Sequence, residues 1–392
     1  MSNRLIVAIS ASVLLASVVV TSAAQSDSRR WTLPTKFDTS TTHLLVQVNV
    51  NGLPLWCNLD TGFSALIAID RAKAATTGIK EVAGKSTPDG RPPYTGDGYA
   101  TARVTVGPAT LNDQPLIVRR LPAGVRDMDC IMGTGVLRQY VIEFEHTTPR
   151  ITLHDRRDYA PPPGAVTIPL IFRTNPNVPF VRVELESAAG RRYPLQVVAD
   201  TGSSYFGLAL VTPVSTRIRE DVPTARHPSR AESGSGPVDL VAARPTSMTV
   251  GPFTVKAPVV ALVFNSIGSV DDGTLGAGFL RQFTVGFDLE GRQMHLTPNA
   301  TFGRSHPFDA SGLGFRRGEN GFEVDIVIPD TSAARAGLLE GDRLMTIDGM
   351  ATDQLTPNDL RERLSRPGVR CDIEVRRGER TMAVSLMLER RL

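Results

Sequence analysis

The stretch WCNLDTGFSALIA (56–68) ends an apolar run on an aspartate and continues directly into a Thr-Gly turn. The same arrangement returns in QVVADTGSSYFGL (196–208), so that Asp60 and Asp200 stand 140 residues apart. A single Asp-Thr-Gly is ordinary turn chemistry, because aspartate and glycine both favour tight turns. Two copies, each placed after an apolar strand, indicate that the chain contains an internal repeat.

Two further pairs of segments recur in the same order. VTVGPATLNDQPLIV (104–118) returns as MTVGPFTVKAPVVAL (248–262), and GTGVLRQYVIEFEH (133–146) returns as GAGFLRQFTVGFDL (276–289). Order and spacing kept this well predict a duplicated lobe, with the seam near DYAPPPGA (158–165). With 34 glycines and 28 prolines between alternating apolar runs, the lobes are predicted to be all-β.

A duplicated lobe brings equivalent turns together across a pseudo-twofold axis. If each turn presents its aspartate at that axis, Asp60 and Asp200 face one another. Carboxylates about 3 Å apart cannot both ionise, as in the aspartic proteases that illustrate this effect, and they share one proton. The ionised member can accept a proton from water, while the protonated member can hydrogen-bond a substrate carbonyl. The residues expected to support this pair are Thr61, Gly62, Thr201, Gly202 and Ser203.

The two turns differ at one position. Ser203 stands three residues after Asp200, and its hydroxyl could hydrogen-bond the carboxylate and favour the charged form. Phe63 stands three residues after Asp60 and cannot do so. The two aspartates are therefore predicted to be chemically unequal.

These motifs resemble the pepsin-like and retropepsin-like aspartic proteases. The resemblance rests on NLDTGFS (58–64), VADTGSS (198–204), IMGTGVLRQYVIEFE (131–145) and TLGAGFLRQFTVGFD (274–288), and it covers roughly residues 40–298. It implies a bilobal, pepsin-like pair of β-barrel lobes that hydrolyses peptide bonds. Asp60 and Asp200 would be the catalytic pair, with neither metal nor organic cofactor.

The resemblance also implies a β-hairpin flap over the substrate. GRPPYTGDGYATARVTVG (90–107) is the candidate, with Gly96 and Gly98 at the tip and Tyr94 or Tyr99 as its aromatic side chain. An exposed loop with an incidental tyrosine is the other interpretation, and both remain open.

The pattern changes after residue 310. GLGF (312–315) resembles the carboxylate-binding loop of PDZ domains, and VIPDTSAARAGLLEGDRLMTIDG (327–349) resembles their core. This predicts a small β-barrel with two helices, in which backbone N–H groups bind the C-terminal carboxylate of a peptide. A folded domain whose loop is filled by its own chain is the alternative. The peptide-binding residues are expected to be Gly312, Leu313, Gly314, Phe315 and Leu364.

The N-terminus predicts export. Arg4 precedes an apolar run (5–20), and small residues follow at Ser22 and Ala24, as in a secretory signal cleaved after Ala24. An uncleaved membrane anchor is the alternative. Because the combination resembles bacterial envelope proteases, the bacterial periplasm is the expected compartment. The predicted divisions are a signal peptide (1–24), lobe 1 (25–160), lobe 2 (161–300), a linker (301–310) and a PDZ domain (311–392).

The three cysteines do not form a disulfide framework. Cys57 and Cys130 each stand three residues before a motif residue, and a bridge between them is one of two open interpretations. Cys371 lies in an apparent strand and is expected to be a buried free thiol.

Charge and composition argue against some classes of partner and site. A net charge of +3 without long charged blocks argues against nucleic acid, and six scattered histidines show no zinc-hydrolase spacing. Expected partners are protein or peptide substrates and a C-terminal peptide in the PDZ groove, and contact with a membrane is expected only through an uncleaved N-terminus. The protein is expected to be a monomer, because one chain holds both lobes. The alternative function is a non-catalytic peptide-binding scaffold that uses the same cleft and groove.

Overall fold

The computed structural model describes most of the chain after residue 29. The described residues are 30–39, 41, 43–64, 67–83, 97–121, 127–203, 206–226, 228–233, 236–265, 271–304, 308–318 and 321–392. The predicted signal peptide, Tyr94 and Gly96 lie outside them. Within the described part of the chain, no helix is long and apolar enough to cross a membrane.

The described residues of the first repeat form eleven strands and one short helix. The elements are β1 (Arg30–Leu33), β2 (Thr35–Phe37), β3 (Leu44–Val50), β4 (Leu53–Asp60), β5 (Ile67–Asp70), α1 (Arg71–Thr76), β6 (Val82–Ala83), β7 (Gly98–Val106), β8 (Ala109–Arg119), β9 (Cys130–Gly133), a 3₁₀ turn (Thr134–Leu137), β10 (Tyr140–Glu145) and β11 (Arg150–Asp155).

In the second repeat, the part of the chain that the structure describes forms twelve strands and two helices. The elements are β12 (Val166–Pro169), β13 (Phe180–Glu186), β14 (Arg192–Ala199), β15 (Leu208–Leu210), α2 (Thr212–Ile218), a 3₁₀ turn (Arg219–Asp221), β16 (Ser229–Ser233), β17 (Gly236–Ala243), β18 (Ser247–Val250), β19 (Phe253–Lys256), β20 (Val260–Val263), β21 (Gly273–Leu275), α3 (Ala277–Leu280), β22 (Phe283–Asp288) and β23 (Gln293–Pro298).

The C-terminal unit, as far as it is described, forms six strands and the two expected helices. The elements are β24 (Leu313–Gly318), β25 (Gly321–Val327), α4 (Ser332–Arg335), β26 (Arg343–Ile347), β27 (Met350–Ala351), a 3₁₀ turn (Thr352–Gln354), α5 (Pro357–Arg363), β28 (Arg370–Arg377) and β29 (Arg380–Met387). Thr356 caps α5, since its hydroxyl accepts the N–H of Asp359 and the Asp359 carboxylate accepts the N–H of Thr356.

Each repeat builds its own sheet, and a third sheet is shared. The first lobe has an eight-stranded sheet in the order β2-β3-β4-β9-β5-β8-β7-β6, and the second lobe has a nine-stranded sheet in the order β16-β17-β20-β15-β21-β14-β13-β18-β19. The shared six-stranded sheet runs β1-β11-β10-β22-β23-β12, with β10 of the first repeat antiparallel to β22 of the second. The duplicated sequence therefore folds as two lobes on a common base.

One apolar core runs through both lobes and the shared sheet. Phe144 and Phe287 meet edge to face across the β10–β22 pair, with ring centroids 5.9 Å apart. Both rings are buried, so the junction between the repeats is itself part of the core.

Cys57 and Cys130 are joined in a disulfide. β4 and β9 run parallel and place the two residues opposite each other, with their Cα atoms 4.4 Å apart. Cys371 is a buried free cysteine, and burial raises the pKa of its thiol to about 12.

The C-terminal unit has a separate apolar core, and its chain ends contact the second lobe. Phe308 and the last residue, Leu392, pack against a buried cluster of that lobe formed by Ala225, Ala242 and Val259. The Arg391 guanidinium lies over the Phe308 ring and pairs with the Asp309 carboxylate. The two ends of the unit are thus held together on the second lobe.

Candidate active site

Two pseudo-equivalent turns meet where the lobes join. The Asp60 loop (residues 60–64) follows β4, and the Asp200 loop (residues 200–203) follows β14. In each loop the glycine N–H returns to the aspartate carboxylate, Gly62 to Asp60 Oδ1 at 2.7 Å and Gly202 to Asp200 Oδ1 at 2.8 Å. Each carboxylate is thereby held towards the axis.

The two threonines connect the loops reciprocally. The Thr61 hydroxyl donates to the carbonyl of Ala199 at 2.5 Å, and the Thr201 hydroxyl donates to the carbonyl of Leu59 at 2.7 Å. The N–H of Thr61 donates to Thr201 Oγ1 at 3.1 Å, and the N–H of Thr201 donates to Thr61 Oγ1 at 3.0 Å. Thr61 is fully buried, so this network fixes the loops in a water-poor setting.

The glycines allow the two aspartates to approach each other. A Cβ on Gly62 would lie 2.9 Å from Asp200 Cγ, and a Cβ on Gly202 would lie 2.2 Å from Asp60 Oδ2. Each glycine therefore touches the carboxyl group of the opposite loop. The side chains of Asp60 and Asp200 are hydrogen-bonded to each other.

Gly133 and Gly276, which belong to the later paired motifs, pack against the backbone of these loops. Gly133 ends β9 opposite Asp60, and a Cβ on it would lie 2.1 Å from the carbonyl oxygen of Ser64. Gly276 has the same role in the second lobe, where a Cβ would lie 2.8 Å from the carbonyl oxygen of Phe206. The repeated glycines are thus needed for close backbone contact with the turns.

The two carboxyl groups have unequal proton affinities. Burial, followed by the charge of Asp200 and the hydrogen bond to it, raises the pKa of Asp60 well above its ordinary value. Burial also raises the pKa of Asp200, but the hydrogen bond from Asp60, backbone N–H groups and the charge of His43 oppose that rise. The pKa values of both carboxyl groups are thus raised, that of Asp60 well above its ordinary value, as expected of a buried pair that shares one proton.

The effect of the Ser203 hydroxyl on Asp200 stays a prediction. The backbone N–H of Ser203 helps to lower the pKa of Asp200, and the backbone N–H of Phe63 does the same for Asp60. The Ser203 Oγ lies beside Gly276, 2.7 Å from where a Cβ on that glycine would stand. A backbone donor contributes whatever the side chain is, so residue type alone could not identify it.

His43 was missed by sequence reasoning. Its Nε2 lies 2.8 Å from the carbonyl oxygen of Gly202, and its Nδ1 lies 2.7 Å from Thr41 Oγ1. His43 stands immediately before β3 and is 159 residues from Gly202. No local motif marks this contact, because it depends on how the lobes meet.

The described residues include only part of the candidate flap, from Asp97 onwards. Gly98 lies within β7 rather than at a hairpin tip, since it pairs with Ala83 on one side and Val118 on the other. Arg119 forms an ion pair with Asp97 at 2.5 Å beside this pairing. The described strands are therefore the base of the candidate hairpin, and its tip lies outside the described residues.

The predicted PDZ loop adopts a conformation that requires glycine. Gly312 has φ +87°, and a Cβ there would lie 2.1 Å from Thr331 Oγ1. Its N–H donates to Asp309 Oδ2 at 2.8 Å, and the N–H of Leu313 donates to Ser311 Oγ at 3.0 Å. Two N–H groups of the loop thus already have partners within the chain.

The remaining predicted groove residues lie on or near the outermost strand. β24 forms the end of its sheet, with Gly314 paired to Ile326 of β25. Leu313 and Leu364 are buried in the core of the unit, whereas Phe315 is partly exposed. Arg361 of α5 lies over the Phe315 ring at 5.4 Å, so helix and strand face each other at this position.

Comparisons with known proteins match these two parts of the chain. Residues 46–138 match the family model described as aspartyl protease, and residues 323–377 match the PDZ domain model. A similar solved structure is the aspartic proteinase from Irpex lacteus, at 14% identity and a TM-score of 0.44, covering 70% of this chain and 98% of that one. No curated protein matches the sequence.

The aspartyl protease match includes Asp60 but ends before Asp200. The equivalence of the second loop is supported by the internal repeat and by the reciprocal contacts of the threonines and glycines. The predicted all-β fold is confirmed by the described strands, and the predicted C-terminal PDZ domain is confirmed by the family match. The chain therefore carries an aspartyl protease domain, matched at residues 46–138, and a C-terminal PDZ domain, matched at residues 323–377.

Proposed function

We propose that the protein is an aspartic endopeptidase that hydrolyses peptide bonds with a water molecule activated between Asp60 and Asp200. The observation that carries the proposal is the contact between two carboxyl groups of unequal proton affinity, each against the other loop's glycine. Such a pair supplies a base and an acid at one pH.

Proton transfers follow from that inequality. Ionised Asp200 accepts a proton from the water as its oxygen attacks the substrate carbonyl carbon, and Asp60 donates its proton to the carbonyl oxygen. The resulting tetrahedral diol collapses when the leaving nitrogen takes the proton from Asp200 and the C–N bond breaks. A diol hydroxyl then returns a proton to Asp60, which restores the starting pair.

The PDZ domain is proposed to dock the C-terminus of a substrate or partner near the cleft. β24 is the outermost strand of its sheet and α5 faces it, which is the arrangement for adding a peptide strand. Docking raises the local concentration of the attached chain. The internal partners of the Gly312 and Leu313 N–H groups would have to be displaced or bypassed by a ligand carboxylate.

The dyad is tested by cleavage of casein between pH 3 and pH 8. Asp60→Asn and Asp200→Asn should each abolish cleavage, because either change removes the acid–base pair. Asp113→Asn, at an exposed position of β8 in the first lobe, is the matched control and should retain full activity. Cleavage by either dyad variant would refute the assignment of that residue, and an inactive wild type would favour the peptide-binding scaffold.

Export to the periplasm is proposed from the N-terminal sequence. The mature protein should begin at Gln25 after cleavage beyond Ala24. N-terminal sequencing of protein from a fractionated bacterial cell checks this. An intact N-terminus in the membrane fraction would instead indicate an anchor.

A further inference from the structure

His43 connects a buried carboxylate of the first lobe to the Asp200 loop of the second. Asp38 is buried, and its Oδ1 accepts the N–H of Thr41 at 2.8 Å and lies 3.0 Å from the Thr41 hydroxyl. Thr41 Oγ1 in turn contacts His43 Nδ1 at 2.7 Å, and His43 Nε2 reaches the Gly202 carbonyl at 2.8 Å. These contacts form one continuous chain.

One hydrogen-bond direction is fixed by its partner, since the Gly202 carbonyl can only accept and His43 Nε2 must therefore carry a proton. The Thr41 hydroxyl has one proton, and its two neighbouring acceptor positions are Asp38 Oδ1 at 3.0 Å and His43 Nδ1 at 2.7 Å. Donation to Asp38 leaves Thr41 Oγ1 as the acceptor for a protonated Nδ1, and both ring nitrogens then donate, as in an imidazolium ion.

The chain continues through one peptide group to the catalytic carboxylate. The carbonyl of Gly202 and the N–H of Ser203 belong to the same peptide unit. That N–H helps to lower the pKa of Asp200, as does the charge of His43. A donor on the carbonyl side of a peptide polarises the group and strengthens the N–H on its other side.

The residue that corresponds to His43 in the second repeat stands immediately before β13. Leu44 begins β3 directly after His43, whereas Phe180 begins β13 directly after Pro179. Proline has no ionisable side chain, and its carbonyl accepts the N–H of Ala199. Among the described residues, the position before the first strand of the hairpin thus provides an imidazole to the Asp200 loop and a proline on the other side.

The charged groups around His43 are consistent with a positive ring. Its own segment presents Asp38, and the opposite lobe presents Asp200, whose partner in the dyad is Asp60. Asp127 faces the same network, donating its N–H to Asp38 Oδ2 at 3.0 Å and accepting the N–H of Thr39 at 2.8 Å. The charged groups named here that lie around His43 are thus all carboxylates.

We propose that His43 is a positioning residue that, as an imidazolium, holds Asp200 as the ionised member of the dyad. This inference rests on the proposed function, since it assigns a role in the same reaction. It explains why Asp200, rather than Asp60, is the base in a pair built from two copies of one loop.

The activity test separates the hydrogen bond from the charge. His43→Gln keeps an N–H donor but loses the charge, and His43→Ala loses both; His154→Gln, in the shared sheet, is the matched control. With labelled casein, kcat/KM is measured from pH 3 to pH 8. The acidic limb should move to higher pH in both His43 variants, because Asp200 loses a stabilising charge.

The maximum rate should distinguish the two variants. His43→Ala should lower the maximal kcat/KM by roughly tenfold or more, the scale of a lost charged hydrogen bond, and His43→Gln should recover part of that loss. His154→Gln should superimpose on the wild type. A His43→Gln profile that matches the wild type, or an equal shift in His154→Gln, would overturn the inference. If His43→Ala does not fold, the His43→Gln profile decides alone.

Nuclear magnetic resonance tests the link without relying on cleavage. In the full chain labelled with ¹⁵N in the histidine rings, at pH 5, His43 should show two protected ring N–H resonances that both vanish in His43→Gln. Thr41→Val should remove protection from the Nδ1 proton and leave that of Nε2. If the wild type cleaves casein but lacks these resonances, the role of His43 is refuted and the proposed function stands. An inactive wild type that shows them refutes the proposed function and the role of His43 in it.

Discussion

At the scale of single residues, the two loops are alike in sequence but unequal in chemistry. Thr61 and Thr201 exchange hydrogen bonds with near symmetry, and Gly62 and Gly202 both face the opposing carboxyl group. Backbone N–H groups lower the pKa of both aspartates, that of Phe63 for Asp60 and that of Ser203 for Asp200, whereas the charge of His43 from the other lobe lowers the pKa of Asp200. The asymmetric pair is therefore a property of the assembled site.

The pH dependence of cleavage follows from this inequality. Asp200 must be ionised, so activity falls as the pH drops through the lower apparent pKa of the pair; Asp60 must be protonated, so activity falls as the pH rises through the upper one. Because the amide of Ser203 acts on Asp200, Ser203→Ala should leave the acidic limb within about 0.3 pH units of the wild type, less than half the spread typical of protein pKa values.

A pH–rate profile with casein measures that shift, and Ser247→Ala, in the sheet of the second lobe, is the matched control. An acidic limb that moves clearly upward in Ser203→Ala alone would restore the hydroxyl to the role first expected from the sequence.

At the scale of elements, turns and strand ends position both candidate sites. Asp60 ends β4 and Asp200 directly follows β14. Each strand end is held by a parallel neighbour, β9 beside β4 and β21 beside β14. In the PDZ domain, the turn before β24 performs the equivalent task for backbone N–H groups. The two sites therefore depend on backbone geometry more than on apolar burial.

Gly312→Ala tests that dependence in the PDZ domain. Alanine at φ +87° is strained, and its Cβ would collide with Thr331, so the domain should lose about 1–3 kcal/mol of stability. Gly349→Ala, with φ +76° and no neighbour within 4 Å, shares the strain but not the collision. Urea unfolding of both variants should show the larger loss for Gly312→Ala, and equal losses would contradict the packing argument.

At the scale of the whole molecule, the shared sheet makes the two lobes one folding unit. β10 and β22 come from different repeats, and their side chains join the common core. The PDZ domain has its own core and contacts the second lobe through its chain ends. Cooperativity between the lobes is therefore expected to exceed that between the protease part and the PDZ domain.

Phe287→Ala tests this coupling from the second repeat. Deleting a buried ring should cost about 3–5 kcal/mol, and the loss should be visible in the first repeat, where Trp31 and Trp56 report unfolding by fluorescence. Gln293→Ala, exposed on the neighbouring strand, should leave the urea midpoint unchanged. A normal tryptophan transition in Phe287→Ala would show that the repeats unfold separately.

The repeat, the loop residues and the fold class were predictable from sequence because they are local. Asp60, Thr61 and Gly62 lie side by side in the chain, their copy returns at Asp200, and strand alternation needs only nearest neighbours. The PDZ loop is likewise contiguous. Each of these features depends on a few consecutive residues, so the pattern and spacing of the sequence predict it.

The tertiary structure alone decided which groups from distant segments meet at the dyad. The His43 contact with Gly202 joins residues 159 positions apart and crosses between lobes, and Ser203 acts through an amide that every residue except proline possesses. Neither contact has a sequence signature. The sequence by itself thus determined that two aspartates would face each other, whereas the packing of the lobes determined which groups surround each of them, because proton affinity depends on burial and on neighbours brought together only by folding.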